Sequence, residues 1–80
     1  MSNIKPDTVA DLKGLNCPMP VLKTKKALEA LEPGKILRVD ITDVGSKSDV
    51  PAMLKRTGHE LLEMMEYGGV YTFFIKKKVS

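Results

Sequence analysis

The chain holds one cysteine, Cys17, inside the run Gly14, Leu15, Asn16, Cys17, Pro18, Met19, Pro20, which also carries two of the five prolines. At this run the apolar pattern changes from alternation to helical spacing, so the sulfur sits just ahead of a helix N-terminus. Unpaired backbone N–H groups and the positive end of the helix dipole favour a thiolate there over a thiol. Pro18 and Pro20 have fixed φ and no N–H, so they stiffen the entry to the helix and hold the sulfur in a set orientation. Lys13 and Lys23 are nearby cations that would support the thiolate or draw an acidic partner surface. A cysteine chosen at random is more often a small buried hydrophobe, but the prolines and the helix start favour the reactive reading. A C-x-x-C oxidoreductase needs a resolving thiol in the same chain, and this chain has none. The thiol must exchange with another molecule.

The remaining chemistry-bearing residues are weaker candidates. His59, the one histidine, is far from Cys17 in sequence and opens a strand, where a surface or capping role fits better than catalysis. Asp43 and Asp49 resemble a carboxylate pair for a metal, yet a loop followed by helix capping explains both. Met64 and Met65 straddle the two faces of a strand and so do not make a soft-metal site. Lys76, Lys77 and Lys78 read as a solubilising strand end, with contact to RNA phosphates as the less common alternative. No metal site and no cofactor is expected.

With 80 residues there is room for one domain, spanning residues 1–80, and a core of this size is marginal without good packing. The net charge of +3 comes from 29% charged residues of mixed sign, a weak pointer to anionic partners. The N-terminal residues Met1 to Asp7 lack the apolar run of a signal peptide, and no segment approaches a membrane span. A cytoplasmic location is expected, where a free thiol stays reduced.

The elements that must position Cys17 follow from periodicity. Asp7 to Leu12 alternates as a short first strand. From Pro20, the positions Val21, Thr24, Leu28 and Leu31 form the inner face of a helix that Pro33 and Gly34 stop. Lys35 to Thr42 alternates cleanly, with Leu37, Val39 and Ile41 inward and Arg38, Asp40 and Thr42 toward water. Gly45 is expected to supply a positive φ, Ser46 or Ser48 to cap the next helix, and Pro51 to fall in its first turn. Val50, Met53, Leu54 and Thr57 then face inward, and Gly58 is the C-terminal cap. His59 to Tyr67 has helical propensity, but the hairpin signal of Gly68 and Gly69 before the β-rich run Val70 to Lys77 makes it a strand. That pairing sets Glu66 opposite Tyr71, Met64 opposite Phe73 and Leu62 opposite Ile75. Leu61, Met65, Tyr67, Val70 and Phe74 then scatter over the other face, a candidate docking surface. The expected fold is a two-layer α/β sandwich of order βαβαββ, a four-stranded mixed sheet with two helices on one face.

In these residues the chain resembles the TusA family of small sulfurtransferases and sulfur carriers, marked by a cysteine followed by proline, any residue and proline (CPxP). Gly14, Leu15, Cys17, Pro18 and Pro20 match that motif. The likeness extends to Asp11, to Pro33 and Gly34, to the Asp43–Pro51 region, to Thr57–Leu61 reading TGHEL, and to the closing strand. It departs where bacterial tRNA-thiolation members carry an Asp-Asp-Pro run, since this chain reads Thr42, Asp43, Val44, Gly45.

The resemblance implies that Cys17 carries sulfane sulfur as a persulfide. It takes the sulfur from a donor protein, a cysteine desulfurase or rhodanese-like protein, and relays it to an acceptor such as a DsrE-type protein. The pathways so served include tRNA thiolation, sulfur oxidation, cofactor maturation and thiosulfate use. Two other functions compete. One is a regulatory module binding RNA or protein, by fold analogy with the C-terminal domain of translation initiation factor three, although no aromatic RNA-binding signature supports direct nucleic-acid contact. The other is a lone-thiol redox sensor.

Overall fold

The computed structural model describes residues 3–79; the readings that involve Met1, Ser2 and Ser80 lie outside it. Six elements follow one another: β1 (Thr8–Leu12), α1 (Met19–Glu29), β2 (Ile36–Ile41), α2 (Ser46–Thr57), β3 (Glu60–Tyr67) and β4 (Val70–Lys76). The strands form one sheet in the order β1-β2-β4-β3. β1 runs parallel to β2, and β4 lies antiparallel to both β2 and β3. The sheet is therefore mixed, and β1, β2 and β3 all point the same way, as right-handed crossovers through α1 and α2 require.

One core lies between the sheet and the two helices. It gathers Leu12 from β1, Leu28 from α1, Leu37, Val39 and Ile41 from β2, Val50, Met53 and Leu54 from α2, and Tyr71, Phe73 and Ile75 from β4. The alternation in β2 is thus realised on its inward side, and both helices share one face. The final hairpin turns through Gly68 and Gly69 at φ 58° and 82°, positive values that only glycine adopts without steric cost and that match a primed hairpin turn.

Four expectations are corrected. First, β3 contains a bulge: Leu61 pairs with Ile75 and Glu63 with Phe74, so Leu62 is the extra residue. Glu66 opposite Tyr71 and Met64 opposite Phe73 stand, but Leu62 does not face Ile75. One inserted residue reverses the facing of everything before it, which turns Leu61 onto the core rather than the open face. Second, Asp40 on the outward side of β2 is not wet, although Thr42 is exposed and Arg38 partly so. Asp40 is only 7% exposed and accepts hydrogen bonds from the Thr72 hydroxyl (2.7 Å) and the Arg38 Nε–H (3.2 Å). Third, Phe74 is not part of an exposed scatter: it is buried, with the Arg38 guanidinium 6.0 Å from its ring centroid. Asp40 and Phe74 are both covered because β2 and β4 are the two inner strands, flanked on each side.

The fourth correction concerns α2. The helix begins at Ser46, with Gly45 as its N-cap and no side-chain cap, so Pro51 lies inside the helix rather than in its first turn. The Ser46 hydroxyl instead donates to the Asp43 carboxylate at 3.1 Å, and Gly45 has φ −63°. Glycine is favoured there by crowding, since a Cβ would stand 3.3 Å from an Asp43 carboxylate oxygen. The C-terminal cap at Gly58 is as expected, at φ 87°.

Candidate functional site

Because β1 and β2 are parallel neighbours, the loops that follow them emerge at the same end of the sheet, the place where open α/β sheets present their functional groups. The first of these loops carries Cys17, which is exposed and unbonded to another sulfur. The second carries Thr42, Asp43 and the exposed Val44. The two loops are joined, because the Gly14 N–H donates to the Thr42 hydroxyl oxygen at 2.9 Å. Gly14 has φ +86°, a backbone conformation that presents its N–H in that direction and that other residues seldom adopt.

Helix α1 rises directly from the cysteine. Pro18 is its N-cap and Pro20 its second residue, and the Cys17–Pro18 peptide bond is cis. The Met19 N–H is given to the Asn16 carbonyl at 2.9 Å, and the Leu22 N–H closes the first turn on the Pro18 carbonyl at 3.2 Å. The prolines donate nothing. Among the described residues, then, the helix start keeps the Val21 N–H as its one donor without a backbone acceptor, fewer than a helix N-terminus usually offers. The orienting role expected of the prolines fits this arrangement better than a cluster of N–H donors does. Pro20 and Thr24 are buried, and the Thr24 hydroxyl donates to the Pro20 carbonyl at 2.7 Å within the helix, which satisfies the buried hydroxyl. On the outer side, Met19 and Leu22 are exposed, at 39% and 53%. Of the two expected cations, Lys13 forms an ion pair with Asp11 at 3.5 Å, and Lys23 is exposed on the helix.

His59 lies at the other end of the molecule. Its Nδ1 accepts the Lys78 N–H at 3.1 Å, beside the C-terminal end of α1, where the Lys77 ammonium donates to the Leu28 and Glu29 carbonyls at 2.7 and 3.3 Å. It is not brought to Cys17. Lys77 is therefore spent as a cap on α1, and the triple-lysine run is more than a solvated end. Burial first, and then the charges of Lys77 and Lys78, hold the His59 pKa below its ordinary 6.5, with Glu29 opposing. A histidine whose folded pKa is depressed binds fewer protons in the folded state than in the unfolded one. Its stabilising contribution is complete above about pH 6.5 and is lost as pH falls from there through the folded value. Urea midpoints measured from pH 7 down to pH 5 should fall in the parent protein. In His59→Ala the slope over that window should be flatter; an unchanged slope would show that His59 does not set it.

The open face of the sheet bears a groove of about 520 Å³ lined by Lys13, Arg38, Asp40, Met65, Glu66, Tyr67, Val70 and Thr72. Met65, Tyr67 and Val70 are there as expected, with Tyr67 largely exposed. Glu66, by contrast, reaches toward α2, where Lys47 pairs with it at 3.2 Å. No helix is long and apolar enough to cross a membrane among the described residues.

In the sequence Thr42 is an ordinary outward residue at the end of the second strand, with no sign of its bond to Gly14. A hydroxyl 28 positions from the N–H it accepts leaves no local pattern to find.

Residues 8–77 match the family model described as Sulfurtransferase TusA. The chain is 49% identical over 71 residues to the sulfur carrier protein TusA of Allochromatium vinosum, covering 89% of this chain and 93% of that one. It is 38% identical over 80 residues to the sulfur carrier protein TusA of Pseudomonas putida strain W619, each chain being covered completely. The crystal structure of a SirA-like protein from Desulfitobacterium hafniense superposes with a TM-score of 0.77 at 30% identity, over 89% of this chain and 97% of that one. With a fold of matching topology and a match along nearly its whole length, the chain belongs to the TusA family of sulfurtransferases and sulfur carriers.

Proposed function

We propose that Cys17 is the residue that carries the sulfur, and that it does so as a persulfide exchanged between protein partners. The observation that supports this most directly is the placement of the one thiol. It is exposed, carried on a loop tied to its neighbour, and set at the end of the sheet where the parallel strands open.

In the proposed cycle the Cys17 thiolate attacks the outer sulfur of a donor Cys–S–SH. The donor's S–S bond breaks as the Cys17 S–S bond forms, and the donor leaves as a thiolate. An acceptor thiolate then attacks the outer sulfur of Cys17–S–SH, and Cys17 departs as the thiolate. Each transfer moves one sulfane sulfur between thiolates, so no external oxidant or reductant enters. The donor is a cysteine desulfurase or rhodanese-like protein, and the acceptor is a DsrE-type or similar thiol protein. Thiol exchange of this kind belongs to a reducing compartment, which fits a cytoplasmic location. The chain acts as a single domain and more as a carrier than as a multiple-turnover enzyme. Intact mass after incubation with a desulfurase and cysteine tests the reading: one added sulfur on the parent chain, and none on Cys17→Ser, is the expected result.

Exposed apolar residues on the helix and the loop at this end of the sheet support exchange with proteins in particular. Met19 and Leu22 project from α1 without covering the core, and Val44 projects from the adjoining loop. Exposed apolar groups on the elements that carry and adjoin a reactive residue serve as the core of a small, transient interface. Leu22→Glu keeps a good helix former at an exposed site, so the fold should be unaffected while sulfur transfer from a protein donor slows roughly tenfold, equivalent to about 1.4 kcal/mol of docking. Stopped transfer assays with a persulfidated donor measure this, and a rate equal to that of the parent would remove Leu22 from the interface.

A further inference from the structure

Resting on the reading of Cys17 as the carrier, we propose that Thr42 is a positioning residue: by accepting the Gly14 N–H it holds the cysteine loop where a docked protein partner can reach the sulfur.

The loop from Lys13 to Pro18 is held mostly by bonds that move with it. The Lys13 N–H donates to Asp11 Oδ1 at 3.1 Å, the Leu15 N–H to the Leu12 carbonyl at 3.3 Å, and the Met19 N–H to the Asn16 carbonyl at 2.9 Å. Each spans three residues or fewer. Among the described residues, the Gly14–Thr42 bond at 2.9 Å is the hydrogen bond that ties this loop to a part of the chain distant in sequence, beyond the two elements it connects. Leu15, partly buried against the core, is the apolar anchor beside it.

The bond is also placed to act as a tether. The last paired rung of β1 and β2 is Leu12 opposite Ile41, and Thr42 is the residue that follows β2, so the contact extends the attachment between the two strands past the end of the sheet. Gly14 takes φ +86° although a Cβ there would meet nothing within 4 Å. Its glycine character therefore serves the backbone direction that delivers this N–H, and not a close approach. Thr42 itself is exposed, so little of the core depends on it.

A sulfur whose loop is released can still meet a small reagent from any side. Exchange with a docked protein is different, because it needs the sulfur at one place, and small misplacements of reacting atoms cost large factors in rate. This difference separates positioning from simple stabilisation. Thr42→Val preserves shape and removes the acceptor, whereas Thr42→Ser retains the hydroxyl.

The test measures two rates on the intact chain: sulfur transfer from a persulfidated rhodanese, and alkylation of Cys17 by iodoacetamide. Thr42→Val should transfer sulfur roughly tenfold more slowly, with its alkylation rate within about twofold of the parent, and Thr42→Ser should restore transfer. Thr42→Ala, which cannot clash, should repeat the loss, so a folding defect peculiar to valine does not obscure the result. Transfer at the parent rate in both Val and Ala variants, failure of Ser to restore it, or an equal loss with both reagents would overturn the proposal. Cys17→Ser is run alongside: if it still takes up sulfur, the carrier reading fails, whereas a sulfur-free Cys17→Ser beside a fully active Thr42→Val rejects the role of Thr42 alone.

Discussion

Cys17→Ser should gain no sulfur under conditions that load one sulfur onto each parent chain, and its melting temperature should match the parent's. The first half follows from chemistry. Cys17 is the one cysteine, and a serine hydroxyl neither attacks a persulfide at neutral pH nor holds a sulfane sulfur afterwards, so no second residue can substitute. The second half follows from placement. Cys17 is exposed and belongs neither to the core cluster nor to its partly buried margin, and serine has the shape of cysteine, so the exchange should change stability by less than about 0.5 kcal/mol, as exposed substitutions usually do. Intact mass and a thermal melt on the same sample check both halves. Sulfur found on the serine variant would place the carrier atom elsewhere. A large fall in melting temperature would mean that the thiol has a structural role the contacts do not reveal.

The contrast between those two halves reflects how the chain divides its labour, and much of that division is readable in the residues. Leu37, Val39 and Ile41 alternate with polar neighbours, and this fixes β2 and its inward side before any partner strand is known. Gly68 and Gly69 mark the hairpin, and the change of period at Pro20 marks α1 and hence the setting of Cys17. What escaped depends on neighbours distant in sequence. Leu61 and Leu62 are equally apolar, so nothing local says which one the bulge expels, yet the choice decides which side of the sheet Leu61 serves. Asp40 looks like a solvent-facing residue until β4 inserts between β2 and β3 and brings Thr72 to it. Pro51 appears restricted to a first turn only if the helix starts late; Ser46 starts it earlier because Asp43 takes up the serine hydroxyl. The tether between Gly14 and Thr42 belongs to the same class. Of the site, the thiol and its helix were legible, and the clamp that holds their loop was not.

Phe73→Ala should have the opposite signature to Cys17→Ser: a large loss of stability with the chemistry intact wherever the chain remains folded. Phe73 is completely buried and heads the fully buried side chains by volume. It stands on inner strand β4 between Val39 and Met64, in the cluster that joins both helices to the sheet. Truncating a buried phenylalanine costs about 3–5 kcal/mol, the sum of lost transfer energy and the cavity left behind. A domain of 80 residues has a total stability of roughly 4–12 kcal/mol at the usual value per residue. One substitution therefore removes about a quarter of that stability at the least, and all of it if the parent lies at the lower end. At about 4–8 °C per kcal/mol for a domain of this size, the melting temperature should drop by at least about 12 °C, measurable by circular dichroism. No site residue lies on β4, so sulfur loading at a temperature below the new midpoint should proceed at the parent rate per folded molecule, and should vanish above it. A change under about 1 kcal/mol would mean that the cavity collapses around the missing ring. Loading lost while the variant is still folded would mean that packing beneath the sheet reaches the cysteine loop, which the one long-range hydrogen bond from Gly14 to Thr42 and the Leu15 anchor give no reason to expect.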